Sequence, residues 1–258
     1  MQLTSLDYTL GALSTALQVT VCILVLRNQF YRRLPLFGAY AWLNLLNLTF
    51  VWSVYLRLGY SSPPSFYISW IAFGVVLLAR GLAVGELCRC VLRFYQGVWA
   101  LAWRLLVGVA MLLLVYAGLA AYGVRDRIMT FLLTAERGLE LTAAVILLLL
   151  LAIRSYYRIP VPVVERLLIL GLGLWSLLQV LNDAALTLWP DYFPWVRAVE
   201  MVSFQVALCT WIVALRKPVP REEHVPRVLP QRVYDELAPQ TNLRLRLLNE
   251  RLLEIFKE

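Results

Sequence analysis

The sequence predicts an all-α membrane protein: a bundle of seven transmembrane helices, N-terminus outside and C-terminus cytoplasmic, with a short amphipathic helix in the tail. Three observations predict it. Hydrophobic residues make up 61% of the chain and charged residues 16%, and the mean hydropathy is +0.71, whereas soluble domains are about half apolar and about a quarter charged. Apolar runs of the length that crosses a hydrocarbon layer, about 20 residues, recur as far as Lys217. Arginines gather beside alternate ends of these runs, so the formal charge of +8 reads as a topology signal and not as a nucleic-acid footprint.

The runs fall at roughly 7–26, 35–56, 66–91, 99–122, 129–153, 163–188 and 194–215. The first is retained as a helix, because Met1 to Tyr8 has neither a basic region nor a small-x-small cleavage site. Ser61-Ser62-Pro63-Pro64 breaks the chain before the third, and Pro160 and Pro162 precede the sixth. The fifth is the most explicit: Ala143-Ala144-Val145-Ile146 runs into five leucines and stops at Arg154. Trp189 to Trp195 reads as an aromatic outer loop at the interface, before the seventh. Short connections make neighbours antiparallel. Arg27, Arg32 and Arg33 follow the first run, Arg89, Arg93 and Arg104 flank the third connection, Arg154, Arg158 and Arg166 the fifth, and Arg216, Lys217 and Arg221 follow the seventh. The other side carries Arg57, Arg125, Arg127 and Arg197, so the richer side is placed in the cytoplasm.

Charges at membrane depth are costly and turn toward the bundle interior. The fifth segment carries Glu136 and the pair Arg137-x-x-Glu140, and the seventh carries Arg197-x-x-Glu200; spacing three puts each pair on one face. Both pairs lie in the outer half. The sixth adds Gln179, Asn182 and Asp183 on one face at similar depth, and the third places Arg80 near mid-membrane, with Glu86 below it. These residues line either an outward-facing polar cavity or an interhelical charge network. Asn44 and Asn47 in the second segment read as hydrogen-bonding glue between helices.

After Lys217 the composition changes. Pro218 to Pro230 is a proline-rich linker, and residues 242–258 form an amphipathic helix whose apolar face is Leu245, Leu248, Leu252 and Ile255, with Phe256 beside it. Its mixed charges favour docking on a protein surface, such as its own bundle, a second copy or a membrane partner, over lying on lipid.

Absences narrow the chemistry. The only histidine is His224, in the linker, so no haem held between histidines and no multi-histidine zinc site is expected in the membrane. Cys22, Cys88, Cys90 and Cys209 avoid the outer loops, so no structural disulfide, metal or cofactor is expected. An outer N-terminus with seven spans is similar in threading alone to rhodopsins and G-protein-coupled receptors. The motifs of both are missing: Val206 to Thr210 has no lysine to hold retinal, and the seventh segment has no Asn-Pro-x-x-Tyr run. Paired carboxylates such as Glu136 and Glu140 suit acid–base work, but Arg137 between them points to charge balance, and no catalytic residue is assigned. The expectation is a bacterial-type, multi-pass plasma (inner) membrane protein that binds a ligand, a lipid or a membrane partner, receptor-like or accessory to a complex. The alternative is a small transporter that holds an ion or polar solute on the outer carboxylates and arginines.

Overall fold

The computed structural model describes residues 5–59, 62–92, 96–157, 161–188, 193–216 and 241–255, without the side chains of 5–8, 96, 98, 156–157, 186–188, 193–197 and several in the tail helix. Among the described residues the regular structure is entirely helical: α1 (Ser5–Arg27), α2 (Phe30–Arg33), α3 (Pro35–Leu58), α4 (Pro63–Leu92), α5 (Gln96–Ala121), α6 (Arg127–Tyr157), α7 (Val163–Leu188), α8 (Phe193–Arg216) and α9 (Thr241–Ile255). Six of these, α1 and α4 to α8, contain stretches long and apolar enough to cross a membrane. The seventh long helix, α3, has 24 residues but is less apolar, because Asn44, Asn47 and the rings of Tyr40, Trp42, Trp52 and Tyr55 replace aliphatic side chains. The linker 218–230, Phe256 and most of the aromatic loop lie outside the described residues.

Elements start and stop where local chemistry requires. Gln29 adopts φ 53° and ends α1, the single turn α2 follows, and Pro35 opens α3, where its missing N–H costs nothing. Gly59 and Gly123, at φ +82° and +80°, follow α3 and α5 in a backbone region that other residues rarely adopt.

α1, α3, α4, α6, α7 and α8 form a ring in which each packs on the next and α8 returns to α1, with α4 also touching α7. α5 stands outside this ring, packed on α6 and lightly on α4, and α9 lies against α5. The large apolar side chains of α5, such as Leu112 and Leu119, are therefore mostly uncovered by protein. Steric fit sets the ring's tightest seam. Trp211 is buried and packs edge-on to Phe37 (5.3 Å between centroids) and Tyr40 (6.2 Å). Its indole sits where a Cβ on Gly171 would be, 2.7 Å from Nε1, so only glycine lets α7 and α8 approach this closely.

Arg27, Arg33, Arg89, Arg154 and Arg216 share one end of the bundle, the basic end. Here helix ends are finished by side chains from other helices. The N–H groups of Leu36 and Phe37 donate to the Glu86 carboxylate at 3.2 and 2.8 Å, satisfying orphan donors at the start of α3. Asn28 Nδ2 donates to the Leu215 carbonyl at the end of α8 (2.5 Å). Gly97 N–H, in the first turn of α5, donates to Asn249 Oδ1 (2.7 Å). Arg33 pairs with the buried Glu165 of α7 at 2.6 Å.

The tail helix thus docks on its own bundle through Asn249. Leu248, expected on the docking face, is 48% exposed; one residue along a helix is a turn of about 100°, so seating Asn249 directs Leu248 aside. The side chains of Leu245, Leu252 and Ile255 lie outside the description.

Candidate functional site

The sequence concentrates its intramembrane charges in the half of the bundle away from the basic end, and the ring topology brings them together. Arg80 comes from the middle of α4, Glu136, Arg137 and Glu140 from consecutive turns of α6, Gln179, Asn182 and Asp183 from α7, and Glu200 from α8. The contacts sort them into two layers.

The deeper layer is centred on Arg80. Its guanidinium is ion-paired with Glu140 and lies 3.5 Å from the Glu136 carboxylate. Its Cζ sits 4.6 Å from the centroid of the Trp175 ring on α7, a cation–π contact. Arg80 and Glu140 are each only 3% exposed. A charge withdrawn from water this far is tolerated only when counter-charges replace the lost hydration, and α4, α6 and α7 each supply part of the cage. Trp175 in turn packs on Phe204 of α8 at 5.2 Å, so a single guanidinium ties four helices together.

The shallower layer is more open. Arg137 Nε lies 3.2 Å from Asp183 Oδ2, with side chains 59% and 44% exposed. Gln179 Nε2 donates to Glu200 Oε1 at 3.4 Å. Glu136 lies within the fields of both Glu200 and Asp183, which links the layers. On α6 the two members of the Arg-x-x-Glu spacing reach different helices: Arg137 reaches across to α7, while Glu140 reaches to α4. Asn182 is buried beside this layer. The side chain of Arg197 lies outside the described residues. Glu86, below Arg80 toward the basic end, caps the start of α3.

No family model, curated protein or solved structure matches this chain. What the cluster can do follows from its chemistry alone.

Four carboxylates, Glu136, Glu140, Asp183 and Glu200, share the cluster with two described guanidiniums, Arg80 and Arg137. The deep layer is closed by its ion pairs and the Trp175 face and acts as a clasp. The shallow layer keeps half-exposed groups of both signs, able to exchange a partner within the protein for a charged group from outside. Sequence reasoning missed Trp175, although it stands four residues before Gln179 on the same face of α7, and that spacing was the available signal. It also missed Gln205, whose Nε2 donates to Leu10 O (2.9 Å) and Ser14 Oγ (3.2 Å) and pins α8 to α1. A glutamine in an apolar helix carries no indication of which neighbour it faces.

Proposed function

We propose that this chain is a plasma-membrane binding protein, receptor-like or an accessory subunit of a membrane complex, threaded seven times with its N-terminus outside and its tail in the cytoplasm. α3 completes the seven: its 24 residues reach about 36 Å at 1.5 Å per residue, enough for a hydrocarbon core of about 30 Å. The arginine excess at the basic end supports the orientation.

The observation that carries the function is the two-layer cluster: a closed clasp on Arg80 beneath half-exposed Arg137 and Asp183. A small charged or zwitterionic ligand entering from outside meets the upper layer and stops at the clasp. The long helices α4, α6 and α7 are continuous past this depth, unlike the broken helices at which many carriers bind their solutes.

A transporter is the second reading, with the carboxylates Glu136, Glu140, Asp183 and Glu200 as a site for a cation. Two measurements separate them. In nanodiscs, a screen of small charged ligands should raise the melting temperature, and Asp183→Asn should abolish that rise while leaving the unliganded protein's melting point in place. In proteoliposomes, the same ligand should show no uptake. Uptake blocked by Asp183→Asn would replace binding with transport, and a rise that survives Asp183→Asn would move the ligand away from this cluster.

A further inference from the structure

α5 stands outside the ring, and the space between it and α4 is open in one half of the bundle. In the half away from the basic end, α4, α5 and α6 enclose a groove of about 620 Å³. Gly74 and Leu77 of α4 and Leu132 of α6 form its floor, where a Cβ on Gly74 would stand 3.2 Å from Leu132 Cδ2. Its rims, Ile71 and Leu78 on α4 and Leu114 on α5, are exposed.

Helix contacts set how far the groove runs. Toward the basic end α5 closes on its neighbours: Trp103 lies 3.8 Å from where a Cβ on Gly85 of α4 would be, and Leu113 lies 2.5 Å from that position on Gly138 of α6. The groove therefore stops at Leu114 and Ala135, and its other end opens at Arg127. Residues 127 to 135 of α6 rise about 12 Å at 1.5 Å per residue. Half of a hydrocarbon core of about 30 Å is about 15 Å, so the groove is one leaflet deep. A transmembrane helix from a second copy crosses both leaflets and does not end at this depth. The acyl chain of a lipid does.

Charge says what that chain is attached to. Among the described residues that line the groove, Arg127 alone is charged and the others are apolar. It stands at the mouth, exposed, beside exposed Arg125 and Asp126. No carboxylate among the described residues forms an ion pair with it. A guanidinium matches a phosphate through two parallel N–H···O bonds, and the membrane interface is where phosphates lie.

We propose that this groove holds one phospholipid of the leaflet away from the basic end, its phosphate on Arg127 and one acyl chain along Gly74, Leu77 and Leu132. The lipid fills the space that α5 leaves on α4, and so joins to the ring a helix that the ring itself leaves out. The site shares no residue with the charge cluster and stands whether or not that cluster binds a ligand.

The test uses the full chain, extracted in mild detergent and measured by native mass spectrometry. The parent chain should carry one phospholipid. Once stripped, it should rebind phosphatidylglycerol roughly tenfold more tightly than diacylglycerol with the same acyl chains, which offers Arg127 no phosphate. Arg127→Gln should erase that preference, and Arg125→Gln, in the same turn but off the groove, should keep it. Leu114→Trp, which turns a ring into the groove from an exposed rim, should weaken both lipids, whereas Leu112→Trp, exposed and off the groove, should weaken neither. If Arg127→Gln fails to insert, the two tryptophan variants decide. A parent chain that carries and rebinds no lipid, a phosphate preference that survives Arg127→Gln, or lipid binding by Leu114→Trp equal to the parent's would each overturn the site. Dimers of the stripped chain that Leu114→Trp breaks would assign the groove to a second copy instead.

Discussion

A guanidinium at membrane depth is tolerated only as well as its neighbours allow, and Arg80 makes the requirement visible. Glu140, Glu136 and the Trp175 face together replace its hydration, and removing one of them leaves charge unpaired in a low-dielectric interior. Glu140→Gln should therefore destabilise the fold by about 3–5 kcal/mol, read as reversible unfolding in bicelles. Arg80→Gln combined with Glu140→Gln should cost less than the two singly, because the charges leave together; strict additivity would show that they do not share one interaction. Asp183→Asn on the half-exposed upper pair should cost no more than about 1 kcal/mol. The sequence made the members of the cluster legible, because charges within apolar runs stand out. It did not make the partners legible: Arg137 and Glu140 look like a pair along the chain, yet each reaches a different helix. Spacing reports the face of one helix, whereas pairing depends on which helices the ring places opposite.

At the scale of the helix, the bounds were readable to within a few residues, because about 20 apolar residues between proline, glycine and arginine leave little freedom. The order around the ring was not readable, since lipid-facing and protein-facing leucines are chemically alike. α5 looks like any other span in the sequence and stands outside the ring in the fold. Close approach gives a test of the α7–α8 seam. Gly171→Ala places a methyl 2.7 Å from the rigid Trp211 indole and 3.4 Å from the Ala207 carbonyl, so it should destabilise by about 1–3 kcal/mol. Gly138→Ala meets only the flexible end of Leu113, and Gly118→Ala meets nothing within 4 Å. The melting temperatures should fall in that order, Gly171→Ala lowest; equal values would mean that α7 and α8 do not pack as described. For the tail, Asn249→Ala removes the acceptor that holds Gly97. Backbone exchange across residues 243–254 and at the start of α5 should then accelerate together, and acceleration in the tail alone would separate the two.

For the whole molecule, the arginine asymmetry makes the threading testable in one measurement. A cytoplasm-only fluorescent reporter fused after Glu258 should light up, and a dark fusion that is made and inserted would reverse the orientation. The ring also predicts where the molecule tolerates change. Substitutions among the bare leucines of α5, such as Leu112→Ile, should be close to neutral, while conservative changes at the fully buried Leu168 or Leu172 of α7 should be felt throughout the bundle.

The borrowed caps at the basic end set a timetable for synthesis. A chain emerging N-terminus first makes Asn28 long before Leu215, 187 residues ahead, so the end of α8 finds its partner waiting. The start of α3 waits 49 residues for Glu86. The start of α5 waits 152 residues for Asn249. α5, the candidate span with the least protein around it, is thus the last of the three to be secured, and release of the chain before Asn249 leaves the ring assembled with α5 loose at its side.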